Sequence, residues 1–133
     1  VLEAWVPHLK IARLVVADDE AASNALMRAA MTMAVPETVE VVISRIAHTD
    51  FAKLAEDEVR TLVLLRDVAS AVAARKVGLP DGPLNVGNVH AGIGRAQVTR
   101  AVFLSDVEKD ELKALGMSVS LQAVPNEEPV SLG

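Results

Sequence analysis

The run IARLVVADDEAASNALMRAAMTMA, residues 11–34, decides the fold. Six of its first seven residues are apolar, Arg13 being the exception, and rich in branched side chains, and two acids bound them, which predicts a strand over 11–17. From residue 19 the apolar positions change period. Ala22, Leu26, Ala29, Ala30 and Met33 recur at i, i+4, i+7 and i+8 spacing, which predicts one helix over 19–34 with that face inward, ended by Pro36. A strand leading straight into a helix is the unit from which parallel sheets are built.

The pattern repeats outward from this unit. VEVVIS (39–44) reads as a second strand, followed by a short helix over 50–56 that Thr49 caps and Phe51, Leu54 and Ala55 anchor. VRTLVLL (59–65) is nearly continuous apolar sequence, as in a strand covered on both faces. Asp67 caps the helix VASAVAARKV; Arg75 and Lys76 complement its last turn, and Gly78 ends it. PDGP (80–83) is a turn, LNV (84–86) a short strand, and a glycine-rich loop follows. QVTRAVFL (97–104) reads as one strand. SDVE (105–108) is a capping box opening a helix that Gly116 closes, and SVSLQAV (118–124) is a final strand before a polar tail. The expected fold class is α/β, an open and mostly parallel sheet with helices on both faces, in a single domain over residues 1–133. Val1, Leu2, Trp5, Val6 and Leu9 form one face of a helix already under way with no N-cap ahead of it, so a preceding, central strand is expected outside this chain.

Composition narrows the function classes. The 133 residues are 51% hydrophobic yet hold only two Phe and one Trp, so Val, Leu, Ile and Ala must build the core. A net charge of −5 without a long Lys/Arg run argues against nucleic acid. The absence of cysteine excludes disulfides and thiolate metal sites. No apolar run approaches the roughly 20 residues of a membrane span, so a cytoplasmic domain without direct membrane insertion is expected. In parallel α/β sheets ligands bind beyond the carboxyl ends of the strands. Here those ends carry ADDE (17–20), LRD (65–67) and VGNVH (86–90).

Two families share parts of this pattern. LVVADDEAASNALMRAAM resembles the opening of a response-regulator receiver domain, with Asp18 and Asp19 as metal-binding acids and Asp67 as phosphoacceptor. The Ser/Thr and Lys that a receiver needs after its later strands are missing. The fuller match is to the IIB subunit of the mannose/fructose/sorbose class of bacterial sugar phosphotransferase systems. VLEAW resembles the Val-x-x-x-Trp of that family's His-Gly-Gln-Val loop and following helix. LVVADDEAASNALMRAA, LNVGNVHAGIGRAQVTRAVFL and SDVEKDELKALGMSVSLQAVP then match its further motifs in order.

That resemblance implies a phosphocarrier that takes a phosphoryl group from phosphohistidine on a IIA partner and passes it to a sugar at the membrane IIC/IID components, with no cofactor and no metal. It places the phosphoacceptor histidine three residues before Val1, so no catalytic residue is expected in the chain itself. A non-catalytic regulatory relative of the family is a further alternative. Asp18, Asp19, Arg66, Gly87, Asn88 and His90 are the supporting candidates. One of the two acids is read as bonding the phosphoacceptor loop and the other as a helix cap. Arg66 faces either phosphate or those acids. Gly87 and Asn88 either admit phosphate or make a simple turn. His90 either orients the loop or contacts phosphate, or else bonds to backbone. Arg95 and Arg100 read as solvated side chains or as contacts for an acidic partner.

Overall fold

A computed structural model describes residues 2–80, 82–87, 91–123, 125–126 and 128–132, with residues 2–4 described by their backbone alone. They belong to two compact units, residues 1–80 and 81–133.

The first unit is built on a parallel sheet of order β2-β1-β3, comprising β1 (Arg13–Ala17), β2 (Glu40–Ser44) and β3 (Thr61–Leu64). Every residue of the middle strand β1 is buried. Leu14 is level with Val41 and Leu62, and Val16 with Ile43 and Leu64. Because side chains alternate along a strand, these six share one face. They pack with Val6 and Leu9 of α1 (Leu2–Leu9), with Ala21, and with Val35 and Val39. Val15 is fully buried on the other face.

The expected helix over 19–34 is two helices, α2 (Asp19–Ser23) and α3 (Ala25–Met33). Asn24 has φ −116° and ψ 104°, and its side chain accepts from the Met27 amide, so it caps the second helix. Ser23 Oγ bonds back to the carbonyls of Asp19 and Glu20, the local competition that ends helices at such residues. The break resets the helical phase, and this corrects the expected inward face. Met27 and Met31 pack on the core, whereas Leu26 is 81% and Met33 85% exposed, and Ala29 and Ala30 are exposed with them. A second correction concerns α4 (Phe51–Glu56). Its cap is Asp50, which accepts from the Lys53 amide at 3.1 Å. Thr49 is buried instead, donating to the Arg45 carbonyl and sharing a 2.6 Å hydroxyl–hydroxyl bond with Ser44. Of the anchors expected in this helix, Phe51 is buried, Leu54 half-buried and Ala55 exposed. Helix α5 (Val68–Lys76) starts at Asp67 and ends before Gly78, whose φ of +114° favours glycine.

The second unit has a sheet of order β4-β7-β8, with β4 (Pro83–Val86) parallel to β7 (Ser118–Leu121) and β8 (Val130–Ser131) antiparallel to it. The polar tail therefore returns as an edge strand that the sequence did not announce. Residues 97–104 are a hairpin and not one strand. β5 (Ala96–Thr99) and β6 (Val102–Leu104) pair antiparallel across a turn at Arg100 and Ala101, with a register shift between Gln97 and Thr99. Among the described residues of this unit, the buried apolar side chains are Val86, Val102, Leu104, Leu112, Leu115 and Leu121. Helix α6 (Asp106–Ala114) has the capping box expected of Ser105 and Glu108, and Gly116 follows it at φ +72°. The expected mixed α/β fold with mostly parallel strand pairing is thus observed.

Candidate functional site at the carboxyl ends of the strands

Strand register assembles the polar cluster of the first unit. Val16 is level with Leu64, so two residues further on Asp18 and Arg66 stand side by side. Arg66 Nε donates to Asp18 Oδ2 at 3.1 Å, and its Nη1 pairs with Glu20. Asp18 is also the N-cap of α2, its Oδ1 accepting from the Glu20 amide at 3.0 Å. Asp19 serves the other neighbour of β1. Its Oδ1 accepts from the Ile46 amide at 2.9 Å, pinning the start of the short 3-10 turn Ile46–His48 that follows β2.

The two acids therefore divide their work. Asp18 caps a helix and holds an arginine, and Asp19 ties down a loop. Arg66 faces the acids, and the guanidinium pKa is raised, first by the hydrogen bond with Glu20 and then by the charge of Asp18. Glu20 was missed in the sequence, although its place two residues after a strand-ending acid was a usable signal. Asp67 Oδ1 accepts from the Ser70 amide at 2.7 Å and is the cap of α5.

In the second unit, Gly87 follows β4 at the carboxyl end of its sheet. A Cβ placed there would meet only the Gln122 carbonyl oxygen at 3.7 Å and Asn85 Nδ2 at 3.9 Å, ordinary contacts, so local packing does not demand glycine. Asn88 and His90 lie outside the described residues. Arg95 is not a solvated side chain. Its Nε and Nη2 donate to Glu108 Oε1 and Oε2 at 2.8 and 3.0 Å, while the Arg95 amide closes a turn onto the Gly92 carbonyl. Glu108 Oε1 also accepts from the Ser105 amide at 3.0 Å. These bonds, led by the one from Arg95, hold the Glu108 carboxyl below the usual carboxylate range. Arg100 is exposed at the hairpin turn. The concavity bounded by Lys113, Met117, Ser118, Val119, Ser131 and Leu132 includes the amino end of β7, so it is not the strand-end site. No helix among the described residues is long and apolar enough to cross a membrane.

This arrangement of strands and helices is shared with known proteins. The family model for the sorbose-subfamily IIB component of the phosphotransferase system matches residues 1–132. The N-acetylgalactosamine-specific phosphotransferase enzyme IIB component 2 of Escherichia coli K12 is 28% identical over 132 residues, covering 96% of this chain and 84% of that protein. The crystal structure of manxB from Thermoanaerobacter tengcongensis matches with a TM-score of 0.84 at 27% identity, over 99% of this chain and 83% of that one. The IIB domain of the sorbose permease from Klebsiella pneumoniae shares the fold, with a TM-score of 0.82 at 18% identity over 99% and 84% of the two chains. With the family model spanning all but the last residue, the chain belongs to the sorbose-subfamily IIB components of the sugar phosphotransferase system.

Proposed function

We propose that this chain is the cytoplasmic phosphocarrier step of sugar uptake. It accepts a phosphoryl group from a phosphohistidine of a IIA protein and delivers it to a sugar passing through membrane IIC/IID components. The observation that carries this reading is the family match over residues 1–132. The carrier histidine is assigned, by the alignment of VLEAW with the family's His-Gly-Gln-Val loop, to the position three residues ahead of Val1.

The strand-end residues act as support. Phosphoryl transfer needs in-line placement and stabilisation of charge on the equatorial oxygens more than it needs covalent chemistry from the protein. Arg66 is the cation of the strand-end cluster and is assigned to that charge. Asp18 and Asp19, both engaged with the protein, position Arg66 and the loop after β2 and do not touch phosphate. Gly87, Asn88 and His90 are assigned to the loop that receives the group, with His90 orienting it.

The test uses the chain extended by the residues encoded ahead of Val1, incubated with phosphoenolpyruvate, the general phosphocarriers and a matched IIA. Alkali-stable label that disappears when the upstream histidine is replaced, and survives His90→Gln, is the expected result. Label lost with His90→Gln alone would move the carrier to residue 90. A IIA that binds without transferring its group would make the chain a regulatory relative.

A further inference from the structure

Arg66 is held by two carboxylates that differ in every respect relevant to exchange. Asp18 directly follows the buried strand β1, its side chain is 13% exposed, and its second oxygen is engaged by the Glu20 amide. The Glu20 side chain is 56% exposed, and its pairing with Arg66 is its only polar bond among the described residues. Neither acid grips the guanidinium through two nitrogens. Asp18 takes Nε, Glu20 takes Nη1, and Nη2 donates to no described residue. The terminal fork of the arginine is therefore half used, by the looser of its partners.

We propose that Glu20 is an exchangeable counter-charge: a phosphate or phosphoryl group displaces it from Arg66 and takes Nη1 and Nη2 together, while Asp18 keeps Nε and holds the arginine in place. This rests on the reading that the strand-end cluster faces the transferred group. An exposed ion pair such as Glu20–Arg66 contributes little, because solvent screens it and two side chains must be ordered to make it. A bidentate arginine–phosphate contact is charge-assisted and geometrically matched. Displacement thus runs toward the anion when it arrives and back to Glu20 when it leaves, and the empty site never holds a bare cation fork. Glu20 is a positioning residue here, acting through Arg66.

The test titrates the 133-residue chain with inorganic phosphate, read by the 31P line width, across the wild type, Glu20→Gln, Arg66→Lys and Glu37→Gln. Glu20→Gln is expected to tighten phosphate about fivefold, the order expected when one exposed competing carboxylate is removed. Arg66→Lys, which keeps the charge but not the fork, should abolish that gain when combined with Glu20→Gln. Glu37→Gln removes one exposed negative charge in the turn before β2 and should leave affinity unchanged. Equal affinity in wild type and Glu20→Gln, or an equal gain from Glu37→Gln, overturns the exchange. Phosphoryl transfer from phospho-IIA to the extended chain is scored separately. Its failure would remove the carrier function while the phosphate titration still decides the exchange, and transfer with phosphate affinity untouched by Glu20→Gln would remove the exchange alone.

Discussion

Arg13 sits in the middle strand of the first sheet at 5% exposure, where an unpaired guanidinium would be costly. Its donors are spoken for by Thr61 Oγ1, both carboxylate oxygens of Asp57 and the Leu54 carbonyl. The hydrogen bonds from Arg13 lower the Asp57 pKa from its ordinary 3.8. A lowered folded-state pKa means stability that is fully present above that value and lost as pH falls through the folded one. Thermal melts should therefore show Asp57→Asn less stable than wild type at pH 7, with the gap closing below pH 3.8; a gap independent of pH would separate the pair from acid unfolding. Gly87 gives a cleaner separation of fold from function. Gly87→Ala should leave stability within about 0.5 kcal/mol, since the added methyl finds room and no strained backbone, and any loss of phosphoryl acceptance would then report on the loop. At this scale the caps at Asp67 and Ser105 were legible because each bonds an amide three residues away. Arg13 was not, because its carboxylate lies 44 residues off.

Elements show the same division. Helix α6 could be read entire, because capping box, acidic first turn and terminal glycine are local. Ser105→Ala should cost about 1 kcal/mol in urea unfolding, with Glu108 retained by Arg95. Glu108 carries its own pH signature. Its lowered pKa makes the contribution complete above pH 4.5, its ordinary value, and progressively lost in more acid solution. Helix α3 was misread although its apolar periodicity was clear. Periodicity states that a stripe exists, but after a phase break at Asn24 it does not state which stripe meets the core. Leu26→Glu and Met33→Glu, at positions the pattern placed inside, should each change stability by less than about 0.5 kcal/mol, whereas Met31→Ala should cost more than either. The hairpin over residues 96–104 escaped for a related reason. Arg100 and Ala101 carry none of the glycine or asparagine chemistry that marks a two-residue turn, and only the antiparallel pairing reveals it.

At the scale of the molecule, parallel register brings the charges of the strand-end cluster together. Arg66→Gln in the extended chain should slow acceptance from phospho-IIA by about 10²-fold, the usual effect of losing one charge-stabilising donor. Its melting temperature should fall only slightly, because the Arg66 side chain is 44% exposed and solvent screens the pairs it loses. A variant that melts lower in proportion to its lost activity would make Arg66 merely structural. Alternation of strand and helix periods, together with motifs in family order, was enough to determine from sequence the α/β class, the family and the strand ends at which to look. Those properties are written in local patterns, each decided within a few residues by steric and hydrogen-bonding preferences. The tertiary structure alone decided that Asp18 would hold Arg66, that Glu20 would share it, that Asp19 would serve a different strand, and that the tail would return beside β7. Each of these depends on which strands are neighbours and at what register, a choice set by burial of whole faces and carried by no single stretch of the chain.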